Sequence, residues 1–469
     1  MKIAVLNGSP KGPVSVTMQY VRYLQETFSG HVFRIHHVAQ QIRKLEKNEP
    51  AFEEILDDIR ASEAVLWAFP LYYCLVSSQY KRFIELIWER GAADAFRGRY
   101  AAALSTSIHF FDHTAHAYIR ALCDDLEMHS VAMFSASMHD LLHRREREQF
   151  RLFAEDFLDA VERRAPAARI FPPVPPAAFH YEPGTNRGRA DAGGRVVLIL
   201  TDGGSAGSNI GGMVARFRLS FAGPVDVVNI RELDIRGGCL GCIRCGYDNT
   251  CAYKGRDGYI DFYNSAVKKA DILVFAGEIR DRYLSAAWKQ FFDRSFFNTH
   301  IPTLKGKQVC FLVSGPLSAN PHLREIFQGT VGFQGANLTG IVTDEVADSA
   351  KLDALLDGLA EQAVRCAARG CSRPALFPGV AGAKLFRDEM WGRLRFPFVA
   401  DHRYYRRHGL YDFPQKDLGA QLRNLLLTSL CLIPSVRRDI YERRLKEEMV
   451  KPFRRLFRTA GSPRSSRSL

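Results

Sequence analysis

Four cysteines, Cys239, Cys242, Cys245 and Cys251, follow one another as C-x2-C-x2-C-x5-C. Thiolates this close in sequence can reach neighbouring corners of one cubane, and the spacing fits a [4Fe–4S] cluster. Structural zinc more often takes its ligands from two separated C-x-x-C knuckles, which lets them approach tetrahedrally from opposing segments. Zinc, a disulfide and free thiols are the alternatives for these residues. Cys74, Cys123, Cys310, Cys366, Cys371 and Cys431 stand alone in apolar or helical contexts and read as small core residues.

A second constellation lies near the N-terminus. Gly8-Ser9-Pro10-Lys11-Gly12-Pro13-Val14-Ser15-Val16-Thr17 follows a strand-like run and opens a helical one. Backbone N–H groups, hydroxyls and one cation therefore gather at the positive end of a helix dipole, where a phosphate would bind. The stretch is neither G-x-G-x-x-G nor a Walker loop, which argues against a dinucleotide fold and a P-loop NTPase. Ser and Pro also cap helices, the ordinary structural use of the same residues. Further on, Phe69-Pro70-Leu71-Tyr72-Tyr73 and Ser105-Thr106-Ser107 offer aromatic surface and hydrogen-bonding groups. An isoalloxazine ring needs both. His109, His113 and His116 could line a substrate pocket or shuttle a proton. They could equally belong to a helix start capped by Asp112.

Together, GSPK with S-x-T, the FPLYY loop and the STS strand end resemble the NADPH-dependent FMN reductase branch of the flavodoxin-like superfamily, over roughly residues 1–160. The resemblance implies FMN and a nicotinamide cofactor. It implies phosphate contacts from Ser9, Lys11, Ser15, Val16 and Thr17, and ring contacts from Phe69, Pro70, Leu71, Tyr72, Ser105, Thr106 and Ser107. Pro13-Val14-Ser15 departs from the commoner family form, in which Gly-Asn or Ser-Asn precedes the Thr. The cysteine motif, placed after a second strand, resembles that of iron–sulfur flavoproteins, in which a cluster on one protomer lies near the FMN of another. Two fused copies would bring 239–251 against the 69–73 loop within one chain. The implied activity is NAD(P)H-dependent oxidoreduction, with electrons passing from FMN to a small-molecule or protein acceptor, directly or through the cluster. The flavin carries that chemistry, so no side chain is singled out as acid or base. An electron carrier that uses no nicotinamide and a zinc-stabilised, non-redox binding module are the rival readings.

The elements that must position these residues occur twice. Residues 60–85 align without a gap on 268–293 at an offset of 208, with Ala68 on Ala276, Ser77 on Ser285 and Lys81 on Lys289. The opening strands, at Ile3 and Val197, match at an offset of 194, so the second copy has gained 14 residues before its third strand. That insertion contains the cysteines. Apolar runs alternate with amphipathic ones, such as 17–27 and 80–90, which predicts α/β folding: two flavodoxin-like, doubly wound parallel-sheet domains in tandem. Ligands in such sheets sit beyond the strands' carboxyl ends, where the loops after the first, third and fourth strands meet. The boundaries read 1–164 and 195–371, joined by a Pro/Gly/Ala-rich linker at 165–194 and followed by a mainly helical, basic extension at 372–469. In the second copy Asp202-Gly203-Gly204-Ser205 replaces Gly-Ser-Pro-Lys, and Glu278, Arg280 and Asp281 replace Pro70, Tyr72 and Tyr73. An acidic residue repels phosphate, so one FMN per chain is expected, with Ser208-Asn209 preserving enough of a loop to leave a second, weaker site open.

At 46% hydrophobic and 25% charged residues the chain has a globular composition. Its longest apolar stretch, near 425–433, falls short of the ~20 residues of a membrane span. MKIAVLNGSP reads as a strand and not a signal segment, so a cytoplasmic protein is expected. The net charge of +13 is concentrated at 372–469, which holds 21 basic and nine acidic residues. This argues against nucleic-acid binding by the body of the chain. It leaves a basic tail suited to an anionic surface or an acidic redox partner. A homo-oligomer is compatible with all of this. Residues 461–469 are expected to be disordered.

Overall fold

Runs such as KIAVLN and AVLWAFP become strands buried on both faces, as parallel sheets require. In the computed structural model, which describes residues 1–174, 179–185, 190–203 and 207–460, the first sheet comprises β1 (Lys2–Asn7), β2 (Val32–His36), β3 (Ala64–Pro70), β4 (Tyr100–Ser107) and β5 (His129–Ser137). The second comprises β6 (Val197–Thr201), β7 (Asp226–Asn229), β8 (Ile272–Glu278), β9 (Gln308–Ser314) and β10 (Asn337–Thr343). Both are wholly parallel and share one topology, β2-β1-β3-β4-β5 and β7-β6-β8-β9-β10. Ile3 pairs with Ala64 and Val197 with Ile272, which reproduces both offsets of the repeat. The sequence-derived fold class and the observed fold agree. The disorder expected for 461–469 concerns residues outside those described.

Helices α1 (Val16–Thr27), α2 (Ile42–Lys47), α3 (Glu49–Arg60), α4 (Ser78–Glu89), α5 (Asp112–Asp125) and α6 (Arg144–Glu162) belong to the first copy. Helices α7 (Asn209–Leu219), α8 (Tyr259–Phe262), α9 (Ala286–Arg294), α10 (Pro321–Phe333) and α11 (Ser349–Arg369) belong to the second. The extension adds α12 (Phe377–Trp391), α13 (Val399–Arg407), α14 (Leu418–Leu430), α15 (Pro434–Arg438) and α16 (Leu445–Ala460). Both copies and α12 form one compact unit, Met1–Tyr404, and a second unit begins at Tyr405. The linker is no free tether: the Ile170 and Phe171 N–H groups both donate to Asp124 Oδ2 at 2.9 Å.

Strand alternation sorts the core. Ala64, Leu66 and Ala68 face α1 and α6, whereas Val65, Trp67 and Phe69 join a core shared with the second copy. Leu273 and Phe275 enter that same shared core from the other side. Across it α4 and α9 pack together, each capped at its first turn by Ser77 or Ser285. Each helix start is also capped from the other copy: Ser78 N–H donates to Asp293 Oδ2 at 2.7 Å, and Ala286 N–H donates to Glu85 Oε1 at 2.6 Å. Lys81 bonds Glu85 and Asp281, while Lys289 bonds Asp293 and the Tyr72 carbonyl. Burial pushes the Asp293 carboxyl up and the Lys289 ammonium down.

His116 and His322 are buried in the same body of the protein, and burial pushes both imidazoles down to about 4. The unfolded chain takes up their protons near the ordinary value of 6.5, before the folded chain does. Their contribution is therefore complete above that value and is lost as pH falls towards 4. We expect the urea midpoint to drop across this window, by up to ~3 kcal/mol for each histidine. His322→Gln should flatten its share of the slope. A midpoint that stays level over the window would contradict the assignment.

Candidate functional site

Beyond the carboxyl ends of β1, β3 and β4 a cavity of about 330 Å³ opens between the copies. Its floor is the loop after β1. The Ser9 N–H donates to Asn7 Oδ1 and the Lys11 N–H to Ser9 Oγ, which folds the loop back on itself. Gly12 supplies a left-handed φ of 61° under the Gln40 side chain, where a Cβ would collide. Ser15 then caps α1 by accepting the Met18 N–H at 3.3 Å. Ser9, Lys11, Ser15, Val16 and Thr17 all line the cavity, with Thr17 Oγ1 2.6 Å from Thr106 Oγ1. Hydroxyls, one cation and a helix start thus converge as a phosphate cradle.

The loop after β3 makes one wall. Leu71 N–H donates to the Thr106 carbonyl at 3.1 Å, and Tyr72 bridges to Leu75. Tyr73 and Cys74 take left-handed φ values of 42° and 66°, which turns the chain back towards α4. Pro70, Leu71, Tyr72, Thr106 and Ser107 line the cavity. The facing wall comes from the second copy, where Gly241, at φ 63°, runs so close to Tyr72 that a Cβ would stand 1.8 Å from its hydroxyl. Burial, then the nearby Cys239 thiol, holds the Tyr72 phenol well above its usual range. Further out the chamber is aromatic: Phe110 meets Phe386 at 5.0 Å, and Phe386 meets Phe333 and His300 at 4.9 and 4.4 Å. His300 Nδ1 lies 2.8 Å from the buried Asp401 carboxylate.

The four motif cysteines line a second, smaller cavity with Tyr253, Arg294, Phe296 and Phe297. Ile243 and Asn249 adopt left-handed φ values of 59° and 61°, which lets so short a segment return its thiols to one place. Burial pushes Cys239 and Cys245 up to about 12. Cys239, Gly241, Ile243 and Phe296 line both cavities, so the two share a wall. Among the described residues no three thiol, imidazole or carboxylate groups are placed to hold a single metal ion.

At the corresponding place in the second copy, described donors are taken by carboxylates. Asp344 accepts from Asn209, Ser314 and the Gly315 N–H at 2.8, 2.6 and 2.8 Å, and Ser314 is the counterpart of Thr106. Asp202 accepts from Ser285 at 2.5 Å. Gly204 and Ser205 of that loop lie outside the described residues.

Residues 1–140, which contain the whole phosphate cradle and the Tyr72 wall, match the family model described as NADPH-dependent FMN reductase. The match ends at residue 140, and the rest of the chain lies outside it. Among solved structures, an NADH:FMN oxidoreductase in apo form is 18% identical, covering 33% of this chain and 87% of its own, with a TM-score of 0.29. The flavoenzyme NAD(P)H:(acceptor) oxidoreductase from Paracoccus denitrificans is 19% identical over 34% and 97%, with a TM-score of 0.28. An FMN-dependent NADH-azoreductase from Bacillus anthracis, in complex with FMN, is 15% identical over 35% and 100%, with a TM-score of 0.24. No curated protein matches the chain.

Two residues assigned to the ring in the first copy stand elsewhere. Phe69 is fully buried against Tyr80 and His116, at ring separations of 6.3 and 5.9 Å. Ser105 is buried with its hydroxyl 2.8 Å from His116 Nε2. Both lie deeper in their strands than the cavity-lining Pro70, Thr106 and Ser107, which stand at the strands' carboxyl ends. His116 is accordingly a packing residue. His109 bonds Asp112 at 2.9 Å, which holds its imidazole above the usual value, and His113 bonds Glu325 at 2.9 Å. None of the three histidines lines the chamber. Cys74, read as a core cysteine, lines it as well as being buried. Sequence reasoning did not reach His300, Phe333, Phe386 or Phe398, whose only advance signal is the density of aromatic residues in their segments.

Proposed function

We propose that the chain is an NAD(P)H-dependent flavin oxidoreductase that holds one FMN in the first-copy cavity and relays electrons through a [4Fe–4S] cluster on Cys239, Cys242, Cys245 and Cys251. The wall common to the two cavities carries this reading: a ring against Tyr72 and Gly241 would stand one side chain from the thiols. Bound FMN supplies the exchange between hydride and single electrons. The protein's part is placement. Ser9, Lys11 and Thr17 would hold the phosphate, and Pro70, Leu71 and Tyr72 one face and edge of the ring. Phe110, Phe333, Phe386 and Phe398 form an apolar chamber that excludes water and suits a planar acceptor. The spacing C-x2-C-x2-C-x5-C favours a cluster over zinc, whose structural sites more often use two separated C-x-x-C knuckles. Cys242 is exposed, which supports a second reading, an electron carrier charged directly by a protein donor without nicotinamide.

An anaerobic absorption spectrum with flavin, iron and zinc quantified per chain, before and after NADPH, separates these readings. One FMN and about four irons, bleached by NADPH alone, is the expected result. Bleaching only by an added protein donor would favour the carrier. A colourless protein that takes up no FMN would overturn both. In the cradle, Lys11→Ala and Thr17→Val should each weaken FMN binding about tenfold, the size of one lost charge-assisted or hydroxyl hydrogen bond. Unchanged dissociation constants by fluorescence quenching would show that the phosphate lies elsewhere.

A further inference from the structure

The second unit begins at Tyr405, and its described residues, 405–460, expose most of their large apolar side chains. Helix α14 has no buried residue. Its Leu418, Leu422, Leu425, Leu426 and Leu430 follow helical three- and four-residue spacing, which places them along one face. Leu418 is 73% exposed and Leu425 65%. Leu432, just beyond the helix, is 78% exposed. In α16, Leu445, Met449 and Phe453 recur every four residues and are also exposed, while Glu447, Glu448 and Lys451 take other faces. The unit holds 15 basic and six acidic residues.

Apolar surface this extensive in water is unfavourable and calls for a cover. A nucleic acid would neutralise the arginines but leave the leucines wet. A second copy of the unit would cover the leucines but bring two strongly positive units together. A bilayer rich in anionic lipid answers both features, because acyl chains take the apolar face and headgroups take the basic flanks. Among the described residues no helix is long and apolar enough to cross a membrane. We propose that residues 405–460 form an anchor that lies in the plane of an anionic membrane surface.

The test is flotation of the full-length, flavin-loaded protein with vesicles of phosphatidylcholine alone or with about a third phosphatidylglycerol. Binding to the anionic vesicles should exceed binding to the neutral ones about tenfold or more and weaken with salt. Leu426→Asp with Met449→Asp, and separately Arg443→Glu with Arg444→Glu, should each lower it about tenfold or more. Both variants should retain their flavin, which reports an intact first unit. Failure to float with either vesicle would overturn the proposal. So would equal binding to both, a concentration-dependent dimer dissolved by Leu426→Asp in place of vesicle binding, or preferential salt-sensitive binding to duplex DNA.

Discussion

Replacing Gly241 by Val is expected to strip the protein of FMN while leaving its fold in place. The backbone at this position is left-handed, at φ 63°, and a β-branched residue there adds about 1–2 kcal/mol of strain. The larger effect is contact. A Cβ would lie 1.8 Å from the Tyr72 hydroxyl and 3.0 Å from Lys11 Cε, so one of two cavity-lining groups must move. Tyr72 is tied to Leu75 through both of its backbone groups, at 2.7 and 3.0 Å, so its ring rather than its backbone must swing aside. Flavin affinity should fall about a hundredfold, equivalent to ~2.7 kcal/mol. Far-ultraviolet circular dichroism should barely change, and the urea midpoint should fall by little more than the about 1–2 kcal/mol of backbone strain. Gly241→Ala should show the same effect at smaller size. A Gly241→Val protein that purifies with a full complement of FMN would show that the cysteine segment does not wall the flavin pocket.

Asp293→Ala should produce the largest loss of stability. Both Asp293 and Lys289 are fully buried, and Asp293 holds the Lys289 ammonium together with the Ser78 N–H at the start of α4. Removing the carboxylate leaves a buried cation and an unpaired amide between the two copies. Breaking such a pair from one side costs about 3–5 kcal/mol. Replacing both members by leucine should restore much of that loss, because the desolvation of two charges disappears with them. Urea melts of the single and double variants form a cycle whose coupling should be at least ~2 kcal/mol. An Asp293→Ala midpoint matching that of the parent would refute the role given to this pair. The reciprocal contact, Glu85 on the Ala286 N–H, makes Glu85→Ala the internal comparison.

These contacts show how the repeat became one body. In the first copy the acid that caps the opposite helix is Glu85 and in the second it is Asp293, related by the offset of 208 that aligns the sequences. The alignment exposes the repetition of Lys81 and Lys289, but not that each lysine lies at the junction between copies. That needs α4 and α9 to be packed together. Among the described residues of the second copy, the Ser285, Ser314 and Gly315 donors already serve the carboxylates of Asp202 and Asp344.

What the sequence by itself determined is whatever depends on local order. The apolar runs, the small-residue turns and the two offsets specify two parallel sheets of the same topology. The Ser9–Thr17 loop and the Tyr72 loop meet because both follow adjacent strands of one sheet, and the four cysteines converge because they are close in chain. What only the tertiary structure decided depends on which faces meet. Phe69 and Ser105 look like ring contacts by type and neighbourhood, yet each sits too deep in its strand and is buried by side chains from α4 and α5. The wall at Cys239 and Gly241, and the chamber formed by Phe333, Phe386 and Phe398, come from segments far apart in the chain. Their meeting is set by the packing of α4 on α9 and of α12 on α10, non-local contacts for which no spacing along the sequence is a signal.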